Sequence, residues 1–70
     1  MSNNSRLTGE EITILERHAK DYQHAYKDDR VLIQRRLKNL GYLRELSPTA
    51  FMITDYGIDY LQGIGIAASR

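Results

Sequence analysis

Six side chains between residues 30 and 44 are of types that contact nucleic acid: Arg30, Gln34, Arg35, Arg36, Lys38 and Arg44. Arginine offers two parallel donors to guanine, glutamine pairs a donor and an acceptor with adenine, and lysine meets phosphate as a point charge. On one exposed helix face such a set suits a major groove. Affinity would then fall as salt rises, because each neutralised phosphate releases counterions. The stretch RVLIQRRLKNLGYLR, residues 30–44, holds five of the ten Lys and Arg residues and no acid. Residues 1–29 carry four basic against six acidic side chains, and residues 45–70 carry one against three. The net charge of +1 is therefore −2, +5 and −2 in order along the chain. The competing account is a solvated basic helix face, which is common on small domains.

Other reactive types are present without a pattern that chemistry needs. His18 and His24 lie six apart, which does not place them on one helix face, and no carboxylate pair joins them, so no metal site is expected. Asp55 and Asp59 are four apart and could form a paired acid site, but acidic charge near a helix start is the simpler reading. Tyr22, Tyr26, Tyr42, Tyr56 and Tyr60 invite base stacking, yet four of them sit at helix or strand spacings that suit a core or its rim. There is no nucleophile with a placed base, no phosphate loop and no glycine fingerprint. The chain is expected not to be an enzyme and to use no cofactor. With no cysteine, neither a disulfide nor a Cys-based zinc site is open to it.

The elements that would position the basic set follow from periodicity. Seventy residues allow one domain. Met1–Arg6 is polar and reads as a disordered arm without the apolar core of a secretory signal. Residues 7–62 read as the folded domain and 63–70 as a tail or a strap through Ile64 and Ile66. Thr8 and Glu11 make a capping box, and Ile12, Leu15, Ala19, Tyr22 and Tyr26 form an apolar stripe, predicting a first helix from about Gly9 to Tyr26. Asp28 or Asp29 is expected to cap a second helix, with Ile33, Leu37 and Leu40 inward. Arg30, Gln34, Arg35 and Lys38 then face outward, with Arg36 at the edge. Gly41 is placed to end that helix. Strands over 42–46 and 51–54 flank a turn at Ser47–Ala50, and Thr54 caps a last helix over 55–62. Gly57 inside that helix predicts a close packing contact. The expected fold is mostly α with a small β-hairpin, in the order α-α-β-β-α. No apolar run approaches a membrane span, and a cytoplasmic protein is expected.

Three segments resemble a known pattern. Leu37-Lys38-Asn39-Leu40-Gly41-Tyr42-Leu43 is similar to the L-x-x-L-G-Y/L-I end of a winged-helix recognition helix. Phe51 to Leu61, FMITDYGIDYL, is similar to the Y-x-L-T-x-x-G-x-x-Y-L that closes the wing and opens the last helix. Leu7 to Leu15, LTGEEITIL, resembles the L-T-x-x-E-x-x-I-L opening of the same domains, including MarR-like bacterial regulators. The resemblance implies a winged-helix DNA-binding domain in which the helix before the recognition helix is reduced or missing, since residues 20–29 read as a continuation of the first helix. It implies a small transcriptional regulator contacting double-stranded DNA through the helix at 30–40, as a homodimer that uses the exposed face of the first helix or the tail. The alternative is an adaptor or inhibitor of the kind found in phages and mobile elements, binding a host protein through the same scaffold. The hairpin tip, Ser47–Ala50, carries no cation for a minor groove.

Overall fold

Thr8 and Glu11 start the fold. In the computed structural model, which describes residues 7–22 and 24–69, the Thr8 hydroxyl accepts from the Glu11 N–H at 3.2 Å. The Glu11 carboxylate accepts from the Thr8 N–H at 3.0 Å, which completes the capping box. The arm expected over residues 1–6 lies outside the described residues. Helix α1 follows over Gly9–Lys20.

α1 ends at Lys20 and does not continue to Tyr26 as its periodicity predicts. Tyr26–Lys27 instead forms a short strand, β1. It pairs antiparallel with a later strand, Tyr26 opposite Phe51 and Lys27 opposite Ala50. A sheet edge with unpaired N–H and C=O groups competes for this segment, and no local signal reports that competition. The buried side of α1 also differs from the expected stripe. It is Glu11, Ile14, Leu15 and His18, with Ile12 and Ala19 only half-buried. The helical spacing holds, but two of its members are polar, so a count of apolar residues picks the neighbouring stripe.

Helix α2 spans Val31–Asn39. Arg30 occupies its cap position, and neither Asp28 nor Asp29 does; Asp28 acts from two residues earlier, its carboxylate accepting the Arg30 N–H at 3.0 Å. Gly41 ends the helix as expected, with φ +94°. The Tyr42 N–H donates to the Leu37 carbonyl and the Gly41 N–H to the Lys38 carbonyl, both at 2.9 Å. These are the paired bonds of a Schellman motif, which needs a left-handed residue.

The chain then turns into a hairpin, β2 at Leu43–Ser47 and β3 at Ala50–Ile53. Leu43 lies opposite Ile53 and Arg44 opposite Met52, with a bulge between Glu45 and Ser47 that leaves Leu46 exposed. β3 is central in the three-stranded antiparallel sheet, in the order β1-β3-β2. Helix α3 spans Asp55–Gly63, and Thr54 caps it by accepting the Gly57 N–H at 3.1 Å. The Thr54 hydroxyl also donates to the Gly41 carbonyl at 2.7 Å, joining the end of α2 to the start of α3. After α3 the chain doubles back. Ile66 and Ala68 pack on the core, Ile64 stays exposed, and Gln62 Nε2 donates to the Ala68 carbonyl at 2.7 Å. The architecture is three helices against a small antiparallel sheet, in the order α-β-α-β-β-α. The strand β1 is the one element the sequence reading lacked.

Tyr42 joins these parts. It is buried, stacked on Tyr56 with ring centroids 5.0 Å apart, and tilted against Tyr60 at 4.9 Å. The Tyr60 hydroxyl in turn accepts the Leu7 N–H at 3.1 Å. Gly57 lies directly under this cluster. A Cβ there would stand 2.6 Å from the Tyr42 carbonyl oxygen and 2.8 Å from Ile53 Cγ1. Alanine ordinarily improves a helix by about 1 kcal/mol over glycine, but overpacking against backbone costs about 1–3 kcal/mol. The second effect is larger here because a carbonyl cannot swing aside. Gly57→Ala is therefore expected to lower stability by about 1–2 kcal/mol in urea denaturation; a gain would mean that α3 does not approach Tyr42 this closely.

Candidate nucleic-acid interface

The basic helix α2 is held by one side. Leu37 and Gln34 are buried on that side, with Ile33 and Leu40 half-buried beside them. The opposite side presents Leu32, Arg35 and Asn39, with Arg36 and Lys38 at its two edges, all exposed. Arg30 is exposed at the N-terminal end of the helix, and Arg44 is exposed on β2.

Gln34 is a correction. It was expected on the outward face, and it is 0% exposed. It lies one helical turn before Leu37, which places the two on adjoining parts of one helix face. Its polar ends are satisfied there. Gln34 Nε2 donates to the Asp28 carbonyl at 3.2 Å, and Oε1 meets His18 Nε2 at 2.8 Å. His18 is fully buried, its Nδ1 is 2.8 Å from the Ile14 carbonyl oxygen, and its ring lies edge-on to Tyr26 at 4.8 Å. Both ring nitrogens thus lie at hydrogen-bond distance from an oxygen. The Asp28 carboxylate accepts from Arg17 Nη1 at 3.3 Å as well as from the Arg30 N–H. Gln34 and His18 are thus structural, and His24 is exposed.

The cations of the set fall into three kinds. Arg36 pairs with Glu11, a buried carboxylate that also caps α1. A phosphate that took Arg36 would leave Glu11 buried beside a competing anion, so Arg36 is committed to joining α2 to α1. Arg30 pairs with Glu10, and Lys38 with Glu45 at 3.3 Å. All four of those side chains are well exposed, and such pairs are worth little and exchange readily. Arg35 and Arg44 make no ion pair or hydrogen bond among the described residues. Arg44 and Lys38 line one shallow groove of about 650 Å³ between the end of α2 and the hairpin. The structure brings those two together and leaves Arg30 at the far end of the helix.

Two outward residues lie outside the set that residue type alone selects: Leu32, 82% exposed, and Asn39. The signal was in the spacing, since 32, 35, 36 and 39 share one side of a helix. Residues 21–30, Gln23 aside, hold a turn, bends and β1, so no helix stands before α2 in the place a helix-turn-helix would need one. Asp55, one of the two acids four apart, accepts the Tyr22 hydroxyl at 2.8 Å in the first turn of α3. Among the described residues no three His, Asp or Glu side chains are grouped to hold a metal ion, and no helix is long and apolar enough to cross a membrane.

No family model matches the chain, and neither a curated protein nor a solved structure matches it.

Gln34→Ala removes the partner of His18 Nε2 and of the Asp28 carbonyl in a buried site, while His18 Nδ1 keeps the Ile14 carbonyl. The expected loss of stability is about 2–3 kcal/mol. Arg35→Ala, fully on the surface, should change stability by less than about 0.5 kcal/mol. Parallel urea titrations of the two variants check the assignment, which fails if the two costs are equal.

Proposed function

We propose that this chain is a small winged-helix DNA-binding protein, a transcriptional regulator, that contacts duplex DNA through the outer face of α2. The observation that carries the reading is the way α2 is mounted. Leu37 and Gln34 seat it, Arg35 and Asn39 project from the other side, and Lys38 is exposed at the edge toward the hairpin. The hairpin leaves directly from its C-terminal end and sets Arg44 in the same groove as Lys38. A convex helix that offers Arg, Lys and Asn is what a major groove admits. The three segments similar to winged-helix domains point the same way. One module of this size covers limited DNA, so a homodimer on a two-fold site is part of the proposal.

A second reading has its own support. Leu32 at the centre of the outer face, the ion-paired state of Arg30, Arg36 and Lys38, and the missing helix before α2 favour an adaptor that docks a protein partner.

The two separate in a salt series. Binding of the full chain to a mixed-sequence duplex, read by fluorescence anisotropy, should weaken steeply with salt. The Arg35→Ala, Lys38→Ala double substitution should weaken binding and make the slope of log K against log salt shallower by about 1, the share of the Lys38 phosphate contact. No binding at low salt would remove the DNA reading and leave the adaptor.

A further inference from the structure

Resting on the DNA reading above, the inference concerns which residues read bases. We propose that Leu32, Arg35 and Asn39 are the sequence-reading residues of α2, and that they select a short duplex core with a thymine methyl, a guanine and an adenine in that order along the helix.

Three observations single them out. Leu32 is 82% exposed, an apolar side chain the fold does not use. Arg35 has no ion pair among the described residues, in contrast to Arg30, Arg36 and Lys38, each held by a glutamate. The Asn39 side chain is exposed and makes no hydrogen bond among the described residues. All three lie on the side of α2 opposite Gln34 and Leu37, in one row. The cations beside that row belong to its borders, Arg36 toward α1 through Glu11 and Lys38 toward β2 through Glu45. A helix lying in a groove turns its central row to the base edges and its borders to the two phosphate strands.

Chemistry then assigns the bases. Arginine reaches guanine O6 and N7 together, asparagine pairs with adenine N6 and N7, and an apolar side chain covers the thymine methyl. The row rises about 4.5 Å from Leu32 to Arg35 and about 6 Å from Arg35 to Asn39, at 1.5 Å per residue. With base steps of about 3.4 Å, the contacts span a core of about four base pairs.

The test is selection of bound duplexes from a pool with a randomised core, using the full chain and four single variants. Wild type should enrich a core containing guanine and adenine. Arg35→Ala should lose the guanine preference and Asn39→Ala the adenine preference, each by roughly tenfold or more. Leu32→Ala should flatten the thymine position by a smaller factor. Lys38→Ala should weaken every sequence alike and leave the enriched core unchanged. Thermal melts confirm that each surface variant still folds. The inference is overturned if the Arg35 and Asn39 variants keep the wild-type core, or if wild type binds duplex with no preference; in both cases the DNA reading stands. Failure of wild type to bind any duplex at low salt overturns both.

Discussion

The orientation of α2 depends on one buried polar link. His18 on α1 meets Gln34 on α2, and Gln34 holds the backbone of Asp28 in the segment between them. Apolar contacts alone would not set this geometry, because burial of Ile33, Leu37 and Leu40 is rewarded over a range of rotations. A buried amide is more demanding. Its donor and acceptor must both find partners, and leaving either without one costs more than the bond itself contributes. In the observed rotation of α2 both ends of Gln34 are satisfied, and the link favours the set of side chains that faces out. Glu11 repeats the device on the same stripe of α1, holding Arg36 while capping its own helix. The two polar positions on α1 act as fixed points for a helix whose apolar contacts would tolerate slippage.

The other end of α2 is held by backbone geometry. Gly41 in the left-handed conformation turns the chain, Thr54 bonds to its carbonyl, and Gly57 lets α3 approach the Tyr42 carbonyl. The stacked ring of Tyr56 covers Tyr42 from outside. The recognition surface proposed for α2 and the hairpin beside it are thereby joined through one small cluster. The relation between Lys38 and Arg44 follows from that cluster and needs no direct contact between them.

Charge is distributed to suit a local contact. The acids Glu10, Glu11 and Glu45 border α2 and hold three of its cations, while Arg35 and Arg44 stay unpaired among the described residues. On the DNA reading, this leaves a modest phosphate-binding charge and puts more weight on contacts to bases. On the adaptor reading, the same arrangement surrounds Leu32 with exchangeable polar pairs, the pattern of an anchor with a polar rim. Both readings place the working surface on the same side of one helix.

The parts legible in the sequence are those set within a few residues of chain. The Thr8–Glu11 capping box, the Gly41 stop, the hairpin after it and the Thr54 cap each rest on hydrogen bonds between near neighbours. Residue identity reports such bonds directly, and the clash at Gly57 was legible because glycine inside a helix needs a reason. Tertiary structure alone decided the rest. Tyr26–Lys27 left the helical pattern because β3 offered it an edge, a partner too distant in sequence for any local signal. Gln34 went inside because His18, sixteen residues away, supplied a bond that repaid burying a polar group. Polarity predicts exposure only when no buried partner exists, and the fold determines whether one does.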